Sequence, residues 1–227
     1  METLEKAIQK ELKKSKTGDK EAKSLLDIYR KVESSFNEGK LAINLNLDPD
    51  EISMLKPLCL ITIKPIMFLA NVDENGFKEN KVLNELVNHA NKIDVPVVIV
   101  CAKIESDITD LEEEEKKLFL SEMDLEEPGL NRVIRSAYKL LGLQTFFTAG
   151  IKEVRAWTVK QGAKAPQAAG VIHTDFEKGF IRAEVISYKD FVHFNGEQKS
   201  KEAGKMRLEG KDYIVEDGDV MHFRFNT

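Results

Sequence analysis

Cysteine is nearly absent from the 227 residues: there are two, Cys59 and Cys101, beside one tryptophan, six prolines and four histidines. Two cysteines cannot build a disulfide framework, and their spacing suits no zinc site. Each lies within an apolar, strand-like run, which points to a reducing compartment, the cytoplasm. No apolar run approaches the roughly 20 residues that span a bilayer. The first residues, Met1–Lys6, alternate in charge where a secretion signal needs an apolar core. With 32% charged residues the composition excludes a membrane protein. A basic arm is missing as well. The 34 basic side chains are outnumbered by 39 acidic ones, and the acidic excess falls within residues 58–140. Bulk electrostatics alone therefore does not bind this chain to nucleic acid, and no DNA specificity is expected. His89, His173, His193 and His222 form no pair at metal-ligand spacing. His173 lacks a nucleophile elbow and reads as a capping residue at a helix start. No catalytic residue and no metal ligand is assigned. The acidic run Glu112–Glu115 reads as a solvated helix start favoured by the helix dipole.

What is present is length and a 42% hydrophobic fraction, enough for more than one packed module. Residues 1–57 read as a helical hairpin. Leu4, Ala7, Ile8 and Leu12 fall on one helical face, and Leu25, Tyr29, Val32 and Phe36 recur with 4-3-4 spacing. Between them Ser15–Asp19 supplies a breaker and a cap, so an antiparallel coiled-coil arm is predicted. Residues 58–140 follow an α/β pattern. Leu58–Ile63 leads into Pro65–Ala70, an apolar run suited to a strand buried on both faces. A polar loop at Asn71–Asn80, a helix over Val82–Lys92 and a second buried strand at Val95–Val100 follow, then a polar turn at Cys101–Asp107. Strand, helix and strand make a right-handed βαβ unit with parallel strands. Two further helices are predicted over 111–123 and 129–141. Two strands are too few for a covered parallel sheet.

From residue 141 the period shortens. Thr145–Thr148 and Val154–Val159 read as a hairpin, Ala165–Gly170 as a turn-rich loop and Ile172–Gly179 as one short helix. Phe180–Ile186 alternates like a half-buried strand, and Tyr213–Phe225 reads as two strands around an Asp-Gly turn. The pattern predicts a compact α+β module of the β-grasp kind over residues 141–227.

Several runs carry a resemblance that covers nearly the whole chain. Asn71-Val72-Asp73-Glu74 after a strand, Phe146–Gly150, Glu153–Trp157, Ala165–Gly170, His173–Phe180 and Asp212–Asp219 resemble, in that order, the YchF / Obg-like ATPase family. The resemblance implies a coiled-coil arm at 1–57, the carboxy-terminal part of a P-loop-type G domain at 58–140 and a β-grasp TGS domain at 141–227. It implies a ribosome-associated, ATP-preferring hydrolase acting in translation or stress regulation. ATP and Mg²⁺ would be ligands of the full-length family, and a ribosomal subunit with its RNA would be the partner. One departure limits this. No GxxxxGK[ST] loop exists here, so the chain lacks the backbone amides, lysine and hydroxyl that hold a triphosphate and its Mg²⁺. Alone it is expected to hydrolyse little ATP and to bind it weakly. A non-catalytic TGS-containing adaptor for RNA or ribosomes is the alternative.

What the family implies for this chain is base recognition. Ordinary G domains read guanine with an Asn-Lys-x-Asp loop, and the matching run here is Asn71-Val72-Asp73-Glu74. By that match Asn71 holds the loop and contacts the ring, Val72 offers main-chain groups to the adenine edge, and Glu74 replaces the aspartate. Cys101, Ala102 and Lys103 stand where the next G-domain loop flanks the base. The four residues of the first loop, taken alone, also fit an ordinary polar turn. In the last segment Arg155, Lys160, Lys164, Lys178 and Arg182 lie among Phe147, Trp157, Phe176 and Phe180, a composition suited to stacking on RNA bases and contacting phosphate. It equally fits aromatics in a core and cations left in water.

Overall fold

A computed structural model describes residues 1–77 and 80–226, and the chain divides into two compact units, Met1–Ile66 and Met67–Thr227. No helix among the described residues is long and apolar enough to cross a membrane.

The first unit is built on the predicted hairpin. Helices α1 (Glu2–Ser15) and α2 (Lys20–Asn37) are joined through Gly18, whose φ of 88° takes the chain through the left-handed region. The Asp19 carboxylate then accepts the Glu21 and Ala22 amides at 2.9 and 3.2 Å and starts α2. Leu4 and Ile8 bury against Leu26, Tyr29 and Val32, with Ala7, Leu12, Leu25 and Phe36 packed around them. Helix α3 (Pro49–Leu55) begins with a capping box between Asp48 and Glu51. The run Leu58–Ile63 departs from expectation. It forms no strand; short 3₁₀ turns cover Lys56–Leu58 and Ile61–Ile63, and Leu58, Leu60 and Ile63 join the hairpin's core. Pro57 in the first turn and a left-handed Cys59 (φ 48°) interrupt extended backbone, and the Cys59 thiol is exposed instead of being held in a strand.

The second unit holds two sheets. Strand β1 (Phe68–Asn71) runs parallel to β2 (Val97–Val100), joined by α4 (Lys81–Lys92), as the βαβ pattern predicts. The pair is not fully buried: Leu69 is 53% exposed because, among the described residues, β1 has no strand on its outer edge, whereas Val98 and Val100 on the same face are buried. The turn predicted at Cys101–Asp107 is a helix, α5 (Ala102–Asp107), drawn into shape by burial of Ile104 and Ile108 with Cys101 and Leu120. Helices α6 (Glu113–Glu122) and α7 (Gly129–Leu140) follow where expected.

The second sheet has the order β4-β3-β7-β5-β6. Strands β3 (Leu143–Ala149) and β4 (Val154–Lys160) form the predicted hairpin. Helices α8 (Ala165–Ile172) and α9 (Thr174–Lys178) lead to β5 (Phe180–Ser187). Helices α10 (Tyr188–His193) and α11 (Glu197–Glu202), strand β6 (Arg207–Glu209) and strand β7 (Asp219–Phe225) complete it. β7 is parallel to β3 and antiparallel to β5. Three expectations change here. Ala165–Gly170 is helix, since Pro166 sits in its tolerant first turn and Ala165, Ala168 and Ala169 are small enough to lie buried on the sheet. Ile172–Gly179 is not one helix: His173 is extended (φ −159°) and caps α9, its Nδ1 accepting the Asp175 amide at 3.2 Å. Residues 213–215 make no strand, only one bridge from Ile214 to Lys164, because the Tyr213 side chain turns inward to Asp219.

Candidate functional site

Register places the candidate site. Asn71 and Val100 are paired residues at the carboxyl ends of two neighbouring parallel strands, so the loops after them leave from the same edge. That edge is where open α/β sheets bind ligands. The Val72 amide donates to the Val100 carbonyl at 2.8 Å, extending the ladder by one step. The Asn71 side-chain oxygen accepts the Ala102 amide at 3.0 Å, across 31 positions of sequence. Glu74 and Lys103 meet in an ion pair at 2.6 Å, and this bond to Glu74 raises the Lys103 ammonium above its ordinary pKa. The Lys103 side chain is 69% exposed and that of Glu74 40%, so the pair serves as a spacer between loops more than as a source of stability.

The first loop is wound tightly. Asp73 accepts the Asn75 amide at 3.1 Å, and the Gly76 amide donates to the Asp73 carbonyl at 2.9 Å. A Cβ on Gly76 would stand 2.7 Å from the Val72 Cβ, so only glycine fits. Behind the second loop Cys101 is 2% exposed and packs with Ile104, Ile108 and Leu120. Residues 78 and 79 of the predicted polar loop lie outside the described residues.

The six residues singled out from sequence thus converge, with two differences of detail. The carboxylate of Glu74 is engaged by Lys103, and the amide of Val72 is taken by the strand ladder, leaving its carbonyl as the main-chain group it can offer. Cys101 supports the loop from within and presents no thiol to it. Among the described residues, the groups the two loops bring together are the Val72 carbonyl, the Glu74 carboxylate and the Lys103 ammonium.

Sequence reasoning passed over Glu105. Its carboxylate accepts the first two amides of α7, Gly129 at 2.7 Å and Leu130 at 3.1 Å. The signal was a negative one. Helix α7 starts at Pro128-Gly129 without a Ser, Thr, Asp or Asn to cap it, so its free amides needed an acceptor from elsewhere.

The five cations of the last segment do not converge. Arg155 shares a sheet face with Phe146 and Val159, while Lys160 and Arg182 lie on the opposite face. β4 and β5, which carry them, are separated by β3 and β7. Lys164 is paired with Asp212 at 2.7 Å, and Lys178 ends α9. The aromatics are used in packing: Phe180 is buried, Phe176 stacks on Phe225 at 3.8 Å, and Phe147 meets Tyr188. Trp157 packs against the core and donates to Thr148 at 2.9 Å, with the Arg155 guanidinium 4.1 Å above its ring.

Comparison with known proteins finds similar sequences over the whole chain. The family model YchF-GTPase_C, described as "Protein of unknown function (DUF933)", matches residues 143–226. A protein of Haemophilus influenzae named "Ribosome-binding ATPase YchF" is 57% identical over 227 residues, all of this chain and 62% of that protein. A Bacillus subtilis protein of the same name is 47% identical over 230 aligned residues, 63% of its length. Among solved structures, the Schizosaccharomyces pombe YchF GTPase superposes with a TM-score of 0.80 at 30% identity, covering 98% of this chain and 63% of that one. The chain therefore spans a little over three fifths of the length of the curated relatives it matches.

Proposed function

We propose that the chain, which is similar over its whole length to proteins named "Ribosome-binding ATPase YchF", is the carboxy-terminal portion of a ribosome-associated, ATP-preferring P-loop NTPase that acts in translation or stress regulation in the cytoplasm. In this reading the first unit is the coiled-coil arm, the βαβ pair with its helices is the last part of a G domain, and the five-stranded body is a β-grasp TGS domain. ATP and Mg²⁺ are ligands of the complete protein. The phosphate-binding residues lie outside this sequence, and the chain's own contribution is the choice of base. The adaptor alternative draws no support from the relatives that match the whole chain, which are named as ATPases.

The observation that carries the reading is the cross-linking of the two loops by Asn71–Ala102 and Glu74–Lys103 at the ends of adjacent parallel strands. Adenine presents a donor at N6 beside an acceptor at N1, the reverse of guanine's edge. A carboxylate aimed at guanine's two donors leaves adenine mismatched by about 1–3 kcal/mol. The Val72 carbonyl can accept from an adenine N6 group, and the Lys103–Glu74 pair keeps the carboxylate from presenting the guanine pattern.

The test is a paired measurement of ATP and GTP affinity for parent and the Val72→Lys, Glu74→Asp double variant, in a protein that carries the amino-terminal G-domain part. Restoring the guanine pattern should move selectivity toward GTP by about tenfold, the worth of one charged hydrogen bond. Unchanged selectivity would remove base choice from these loops. For ribosome association the reading relies on the exposed cations, with Arg155 over Trp157 as the stacked pair available to a base and Lys160 and Arg182 as phosphate contacts on the other face.

A further inference from the structure

We infer that Glu105 is a positioning residue for the base-flanking loop: by capping α7 it holds α5, and with it Cys101–Lys103, in register against the Asn71 loop. The inference rests on the proposed base site and adds a residue to it.

Helix α5 has only six residues, and its N-cap residue, Cys101, offers no side-chain bond to its first turn. A helix that short does not persist on its own, since nucleation costs more than one turn returns. Its place must come from contacts made elsewhere. Below, Cys101 and Ile104 are buried in the small cluster with Ile108 and Leu120. To one side, Ala102 and Lys103 tie it to Asn71 and Glu74. To another, Glu105 grips Gly129 and Leu130. Positions 103 and 105 are two residues apart, so their side chains diverge by roughly 200° around the helix. One end of the pair reaches the base loop and the other reaches α7.

The grip is close and stereospecific. A Cβ on Gly129 would lie 2.8 Å from the Glu105 Oε1 and 3.1 Å from the Val100 Cγ1, so Gly129 allows the carboxylate to approach and lets α7 sit against β2. The negative charge meets the positive end of the α7 dipole, which strengthens both bonds. Helix α7 is anchored in turn on the larger sheet, where Tyr138 and Thr158 share a hydrogen bond at 2.9 Å. Glu105 therefore connects the base-flanking loop to an element fixed on the five-stranded body.

The test is residue-resolved amide hydrogen exchange on the full chain, comparing parent with Glu105→Gln. Glutamine keeps the length and one acceptor but turns an amide N–H₂ toward the α7 amides. Exchange at Gly129 and Leu130 should speed up by about tenfold, and the Ala102 amide, bonded to Asn71 on the far side of α5, should speed up with them. Amides of Ala183–Val185 in β5 should keep parent rates. Faster exchange at Gly129 and Leu130 with Ala102 unchanged would overturn the inference, reducing Glu105 to a local cap. So would uniform acceleration that includes β5, which would make it a residue of general stability. Gly129→Ala is the second variant; it displaces the carboxylate from the opposite side and should release Ala102 in the same way. In the complete nucleotide-binding protein, Glu105→Gln should weaken ATP by a similar factor. If the parent there shows no adenine preference, the base-site reading fails while the exchange result still decides the role of Glu105.

Discussion

The two sheets of the second unit use similar strands to opposite ends. In the five-stranded sheet Phe146 has no exposed surface, meets Phe223 edge-to-face at 5.9 Å, and is enclosed by Ala165, Ala168 and Ala169 of the helix above it. In the β1–β2 pair, Leu69 is 53% exposed, and on the neighbouring helix α7 Leu130 is 58% exposed. Both regions have the composition of a core. Only the first has enough elements of its own to close one, since a strand's apolar side chains are hidden by what lies above and beside the sheet, and two strands have little beside them. The difference also separates the roles. The closed body provides rigidity, and the open pair presents the strand ends from which the candidate site is built.

Mutation at equivalent depths should expose that contrast. Phe146→Ala should cost about 3–5 kcal/mol by lost burial and cavity formation. The five-stranded body should then unfold at much lower denaturant concentration, as followed by its single tryptophan, Trp157. A cost below about 1 kcal/mol would mean that the body is not closed around this ring.

A smaller effect is expected at the polar heart of the same sheet. Asp219, 2% exposed, accepts the Tyr213 hydroxyl at 2.7 Å and the Glu216 amide at 2.9 Å, and Arg207 donates to the Tyr213 oxygen at 2.9 Å. Burial, and then the bond to Asp219, push the Tyr213 phenol well above its ordinary value of 10.0. The folded state thus holds this proton more tightly than the unfolded chain. Its contribution is complete below the unfolded value and is lost as pH rises from there through the folded one. Tyr213→Phe should cost about 1–3 kcal/mol at neutral pH, because Asp219 loses a donor while staying buried. It should also flatten the decline of stability above pH 10 in alkaline denaturation curves. A variant whose alkaline limb matches the parent's would remove Tyr213 from the titration.

The smallest effect belongs to the open sheet. Leu69→Ala should change stability by less than about 0.5 kcal/mol in the isolated chain, since most of the side chain is already in water. Urea melts of the chain decide this, and a loss of 2 kcal/mol or more, the range of a buried leucine, would show that the β1–β2 pair is closed after all.

Much of this architecture was legible in the order of residues. The spacing of Leu4, Ile8, Tyr29 and Val32 with the Asp19 cap specifies the hairpin, because helical period and capping are local properties. The βαβ unit and the β3–β4 hairpin followed from runs long enough to show their period, and the motif at Asn71–Glu74 marked the loop proposed here as part of the candidate site. Short apolar runs were not decided that way. Leu58–Ile63 has a strand's composition and became 3₁₀ turns packed on a helical hairpin; Ala165–Gly170 has a loop's composition and became a buried helix; Cys101–Asp107 became α5 through the burial of Ile104. Over four to eight residues, local preference amounts to less than the burial that neighbours supply, so the neighbours choose. The site divides along the same line. Its residue types were set by sequence, but the pairing of Glu74 with Lys103, and the reach of Glu105 to a helix 24 positions away, exist only because two parallel strands end side by side and bring distant loops within hydrogen-bond distance.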